Sequence, residues 1–247
     1  MTRAGRSPRP WLLFVLLVLL AVWGVRSGRL AIPDDWNPWA PLRIDAAPNR
    51  LTRFKLARAS ADPAACGAAL AQADMTWTRL DDRVTASGCG FADAVRIERS
   101  SVAVGEPFAL SCRAALSLAM WERHTLQQAA RAHLGTRVRA IEHYGSYACR
   151  NVYGAAGRRR SRHATADALD IAGFVLADGR RVRVVRDWRP RAAGVGADER
   201  TVPPEARFLH ALHDGACRWF DVVLGPDYNR AHADHFHFDR GHGRLCR

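Results

Sequence analysis

The sequence predicts an α+β fold, with a mainly antiparallel sheet flanked by helices and stapled by disulfides. Three observations carry that prediction. A helical pattern over 112–134 is followed by strand-like runs joined by turn residues, which is the order of α+β folds rather than of repeated βαβ units. All six cysteines (Cys66, Cys89, Cys112, Cys149, Cys217 and Cys246) follow one apolar run near the N-terminus. An even count beyond an export signal reads as three bridges in an oxidising compartment. The 247 residues are 48% hydrophobic and 25% charged, which is too apolar for disorder and enough for a packed core.

Taken in order, residues 1–10 carry Arg3, Arg6 and Arg9 and no acid, which predicts a basic cytoplasmic tail. Residues 11–25 (WLLFVLLVLLAVWGV) form an unbroken apolar run, read as a transmembrane anchor or a signal peptide. No small-x-small cleavage pattern follows, and Trp11 and Trp23 suit two interfaces. The expectation is a single-pass inner-membrane protein with its C-terminal domain in the periplasm. Pro33, Pro38, Pro41 and Pro48 make 26–60 an extended tether, and a compact domain fills 61–247.

Within that domain, 61–73 reads as a short helix capped by Asp62 with Pro63 in its first turn. AVRIE and SVAV, between 90 and 110, read as short strands. Over 112–134, Leu116, Ala119, Leu126, Ala130 and Leu134 recur at helical spacing, and Gly135 supplies the stop. Strands are expected over 137–149, 168–176 and 180–187, the last two joined by a turn at Ala177-Asp178-Gly179. A polar loop over 189–202, a helix over 204–220 and late strands at 221–224 and 235–239 complete the chain. This layout suggests pairing Cys112 with Cys149, since the helix bearing one covers the sheet bearing the other. Cys217 then pairs with Cys246 in the tail, and Cys66 with its sequence neighbour Cys89.

Lys+Arg number 37 against 24 Asp+Glu, a net charge of +13, and Lys55 is the lone lysine. Such a surface suits anionic polymers, in an exported chain a wall polymer such as peptidoglycan. No nucleic-acid motif is present, so nucleic acid is excluded as a partner. Among ten histidines two clusters stand out. In the first, His163 and Asp170 are seven residues apart, with Asp170 opening a strand. In the second, His235 and His237 share one strand face and Phe236 and Phe238 the other, so the Phe pair is core and the His pair faces a cleft.

His163, Asp170 and His237 offer the three protein ligands of a catalytic zinc site. Asp234, three residues before His237, is placed to accept a proton from water on the metal. Arg150 is a candidate for a substrate carboxylate or an oxyanion. His235 reads as a transition-state donor or as an orienter of a ligand. His232 and His242 read as loop residues; His124, His133, His210 and His213 read as packing or surface residues. Arg158, Arg159, Arg160 and Arg162 read as a solvated loop or, more sharply, as a rim for an anionic substrate.

The segment from Ser161 through His163 and Ala168 to Asp170, with Asp234 and His237, resembles the zinc D,D-peptidases, a group that includes murein endopeptidases and the hedgehog-type fold. Ala166 stands where that group usually has Gly, and Asp234 where it more often has Glu. Tyr147 to Arg150 resembles its substrate-contacting Gly-Tyr-Arg segment. More narrowly, SYACRN, SRHATADALDI and LGPDYNRAHADHFHFD resemble the bacterial extensin-like C-terminal domain family over roughly 60–247. The resemblance implies a hedgehog/D,D-peptidase-like fold, a zinc cofactor and an envelope peptidase acting on peptidoglycan stem or cross-link peptides. It also implies Asp234, Arg150 and His235 as catalytic residues, and Arg150, Ser161 and Tyr147 as substrate contacts. The alternatives are a non-catalytic wall-binding or scaffolding domain and a hedgehog-like interaction domain.

Overall fold

The computed structural model describes residues 10–190, 201–241 and 243–247. The basic tail over 1–9, the polar loop over 191–200 and His242 lie outside these. The chain divides between Ala40 and Pro41 into two units.

In the first unit, the apolar run forms helix α1 (Pro10–Arg26). Its 17 residues rise about 25 Å, short of the ~30 Å hydrocarbon core that takes about 20 residues to cross. No helix among the described residues is long and apolar enough to span a membrane. That corrects the expected single-pass inner-membrane placement: flanking residues were expected to extend the fifteen-residue run to a full span, and the helix gains only two.

The second unit starts within the expected tether. Leu42 and Ile44 are buried in the core, and 52–61 forms helix α2 (Thr52–Ala61). Its buried Thr52, Lys55, Leu56 and Ala59 recur at helical spacing, a signal the neighbouring prolines obscured. Helix α3 (Pro63–Leu70) follows, with Asp62 accepting from the Ala65 amide at 2.7 Å as its cap.

Three short strands come next: β1 (Thr76–Leu80), β2 (Arg83–Ala86) and β3 (Cys89–Phe91). They lie where no strand was expected, because they are short and β2 is exposed throughout. β4 (Ala94–Arg99) is the AVRIE strand, while SVAV makes only a bridge from Ala103 to Ala140. After β5 (Phe108–Ser111), the helix expected over 112–134 runs as α4 (Cys112–Trp121), a π-helical turn (Glu122–Leu126) and α5 (Gln127–Leu134). Gly135 ends it at φ 65°, the left-handed cap that favours glycine.

The sheet that carries the chemistry has the order β11-β9-β10-β7-β6. Its strands are β6 (Val138–Gly145), β7 (Ala168–Leu176), β9 (Val222–Leu224), β10 (Phe236–Asp239) and β11 (Leu245–Cys246). Strand β8 (Arg181–Arg183) pairs with the second half of β7, and 184–187 turns into a short helix, α6 (Val184–Asp187), instead of continuing the expected strand. All pairings are antiparallel except β11 on β9. A three-stranded sheet β1-β4-β5 and the β2-β3 hairpin lie apart. Helix α7 (Pro204–Ala216) closes the core, where the Trp121 indole donates to the Leu212 carbonyl at 3.0 Å.

The three disulfides are Cys66–Cys112, Cys89–Cys149 and Cys217–Cys246. The last matches expectation, and the other two correct it. Helix α3 packs on α4, which brings Cys66 to Cys112. The β2-β3 hairpin lies beside Tyr147, which brings Cys89 to Cys149. Chain neighbours 66 and 89 are carried apart by two intervening strands.

Glu122, in the π turn, is fully buried. The Ser101 amide and hydroxyl donate to its Oε2 at 2.9 and 2.6 Å, and Oε1 has no partner among the described residues. Burial holds this carboxyl above its ordinary range, against the lowering effect of the Ser100 and Ser101 hydrogen bonds. The folded chain therefore keeps the proton to a higher pH than the unfolded chain does. This favours folding in acid and is lost as pH rises above the unfolded value of about 4.3. Urea unfolding of the wild type and Glu122→Gln from pH 4 to 8 is expected to show the variant gaining on the wild type as pH rises. Parallel curves would remove Glu122 as the cause.

Candidate metal centre

Core packing builds the centre. On β10, Phe236 and Phe238 are fully buried and pack against Trp188, Phe220 and Trp121. The alternation of the strand then turns His237 and Asp239 to the other face. In the β7-β10 register His237 lies directly opposite Asp170, and Asp239 opposite Ala168. The third donor comes from the 3-10 turn of Arg162–Thr165, capped by Ser161, whose hydroxyl accepts from the His163 amide at 3.3 Å.

The three side chains meet. His163 Nε2 is 3.1 Å from Asp170 Oδ2, His237 Nδ1 is 2.8 Å from Asp170 Oδ1, and the two imidazole nitrogens are 3.2 Å apart. Each imidazole is oriented from behind. His163 donates Nδ1–H to the Ser146 carbonyl at 3.1 Å, and His237 donates Nε2–H to Asp239 Oδ2 at 3.0 Å. The atom left toward the centre is therefore Nε2 of one and Nδ1 of the other. A tetrahedral ion with bonds of 2.0–2.1 Å sets its ligand atoms about 3.3 Å apart, close to these spacings. Two further donor groups exist among the described residues, but both rest on cysteines already in disulfides.

Burial raises the Asp170 carboxyl, but hydrogen bonds from His163 and His237 outweigh it and hold the group far below the ordinary range. Burial also opposes charge on His237, yet Asp170 and Asp239 raise it to about 9. His232 moves the other way, to about 4, through burial and the neighbouring His237 and His235.

The other expected residues distribute as follows. Asp234 Oδ1 accepts from His235 Nδ1 at 2.8 Å, and its side chain is half exposed. His235 Nε2 is 3.6 Å from Asp170 Oδ1, so the imidazole, rather than the Asp234 carboxylate, borders the donor cluster. Arg150 and Ser161 line the same cleft, of about 820 Å³. Tyr147 does not: its ring packs edge-on against Phe91 and its hydroxyl bonds Thr85. The Cys89–Cys149 bridge draws its segment toward the hairpin, apart from the cleft in which a substrate contact was expected.

Three residues were not singled out by sequence reasoning. His232, expected in a loop, is buried with its ring 5.3 Å from that of His235 and 5.8 Å from that of His237. It donates Nδ1–H to Asn229 Oδ1 at 2.8 Å. Its spacing from His235 was the available signal. Asp239 was passed over as the end of a strand. Tyr144 sets its ring 5.8 Å from His235.

The fold and these donors define a disulfide-stapled α+β domain with a three-donor centre in an open cleft. The chain belongs to the family described as Extensin-like protein C-terminus, whose model matches residues 64–247. No curated protein and no solved structure matches the chain.

Ala166 ends the His163 turn at φ 53°, the left-handed region, with its side chain fully buried. A Cβ there costs about 1–2 kcal/mol, against the ~0.5–1 kcal/mol by which glycine's freedom favours the unfolded chain. Ala166→Gly is expected to raise the urea midpoint slightly and leave metal content unchanged. A lower midpoint would show that the buried methyl matters more than the backbone.

Proposed function

We propose that this chain is a zinc-dependent peptidase acting on the stem or cross-link peptides of peptidoglycan. The convergence of His163 Nε2, Asp170 and His237 Nδ1, with each imidazole held from behind, is the observation that carries the reading. Two imidazoles and one carboxylate suit zinc, and three protein ligands leave a position for water. Likeness to the zinc D,D-peptidases in residue type, order and spacing supplies the substrate class. Three disulfides agree with life in an oxidising compartment, where a wall peptide is met.

Held by His163, Asp170 and His237, a zinc ion would supply a water of pKa near 7 and a Lewis acid for the scissile carbonyl. The chain's own groups do the rest. Asp234 fixes His235 by its hydrogen bond to Nδ1, so Nε2 is the atom presented to the centre. His235 accepts the proton of the attacking water and returns it to the leaving amine. In this arrangement Asp234 acts through His235. Asp239 holds the His237 ring, and Arg150, exposed on the cleft wall, pairs with a substrate carboxylate.

Metal analysis of purified protein is expected to find one zinc per chain, lost in His163→Ala and His237→Ala. Asp239→Asn is expected to weaken zinc by about 10–100-fold. Retention of stoichiometric zinc by both alanine variants would overturn the centre. His235→Ala is expected to keep zinc while cleavage of wall fragments, read as chelator-sensitive new amino termini, falls about 10²–10⁴-fold. Sedimentation with intact fragments regardless of chelator would mark a wall-binding domain instead.

A further inference from the structure

Many arginines of this chain are engaged by acids or carbonyls. Arg79, Arg99, Arg113, Arg180, Arg181 and Arg186 each pair with an Asp or Glu. Arg160 donates to the Ser87 carbonyl and to Asn151. Four others line the cleft beside the donor cluster: Arg158, Arg159, Arg162 and Arg244. None of these four guanidinium groups hydrogen-bonds or pairs with a carboxylate among the described residues, and the buried Nε of Arg162 has no acceptor. The acids of the cleft wall, Asp170 and Asp239, are already engaged by His163 and His237. One wall of the cleft is thus strongly cationic, and none of its four guanidinium groups is paired with a carboxylate among the described residues.

We propose that Arg158, Arg159, Arg162 and Arg244 form an anion subsite, separate from Arg150, that selects peptides bearing several carboxylates. The inference rests on the peptidase reading and narrows its substrate. A single terminal carboxylate is met by Arg150. Four more guanidinium forks, two from the 155–162 loop, one from the His163 turn and one from the C-terminal segment, require further planar anions along the bound chain. Phosphate matches the same fork, but the neighbouring rings argue against a nucleic acid strand. Tyr153 accepts from Asn229 Nδ2 and has Arg158 over one face, and Tyr228 packs edge-on against His232, so both rings are already held by neighbours and not set out in a row for successive bases.

The test uses the full chain and a synthetic peptide with three free carboxylates, its amidated isostere of equal length, and inorganic polyphosphate, with binding followed by calorimetry at low and moderate salt. The tricarboxylate is expected to bind at least about tenfold tighter than the amide, with the difference shrinking as salt rises. Arg158→Gln/Arg159→Gln and Arg244→Gln are expected to lose most of that preference while retaining wild-type zinc content and circular dichroism. Arg158→Lys/Arg159→Lys is expected to recover only part of it, since lysine keeps the charge but not the fork. Equal affinity for the two peptides, or an undiminished preference in both glutamine variants, would overturn the subsite. So would polyphosphate displacing the tricarboxylate at equal charge. A charge preference that survives in a chain holding no zinc and cutting nothing would uphold the subsite and remove the peptidase reading alone.

Discussion

The register between β7 and β10 is the constraint on which the site depends. Asp170 faces His237 because Phe236 and Phe238 are committed to the opposite side, where they fill the core opposite Ile171 and Leu169. Side chains on a strand alternate with a period of two, so a slip by one residue would turn both rings toward the polar cleft and His237 into the apolar core. Full burial of each ring favours the observed register by roughly 1.5–3 kcal/mol. Apolar packing therefore sets the distance between two polar donors on the other face of the sheet.

The third donor is placed by a different kind of force. His163 sits on a turn, and the turn is fastened electrostatically through the residue after Ala166. Asp167 is buried and accepts from the Ser111 hydroxyl, the Thr165 hydroxyl and two nitrogens of Arg113. The Ser111 amide also donates to the Ala166 carbonyl at 2.7 Å. Every oxygen of that buried carboxylate is satisfied, which is the condition under which a buried charge rigidifies rather than destabilises. The arginines of the cleft wall lie outside this network, so the groups that fasten the turn and the groups that line the cleft are separate sets.

Much of this was legible in the sequence, and what was missed has identifiable causes. The strand at 168–176, the Asp62 cap, the Gly135 stop and the late strands are each marked by strong local chemistry, and the structure has them. The β2-β3 hairpin carried no apolar alternation to read, since β2 buries nothing. Disulfide partners are set by how elements stack, which spacing along the chain does not encode; only Cys217, at the end of the last helix, and Cys246, in the tail that follows it, could be paired that way. Residue type and spacing grouped His163, Asp170 and His237, whose donor atoms the fold brings close together. Tyr147 was misplaced and His232 overlooked because both depend on loop paths, where the side chain's direction follows neighbours distant in sequence.

The π turn at 122–126 changes the meaning of the long helical pattern in which it lies. One residue more per turn rotates everything downstream by about 100° about the axis. Upstream, α4 leans on α2 and α3; downstream, α5 leans on α7. The phase slip lets a single rod serve two partners at different azimuths, so α7 and the sheet behind it are held by the same element that the Cys66–Cys112 bridge ties to the first helices.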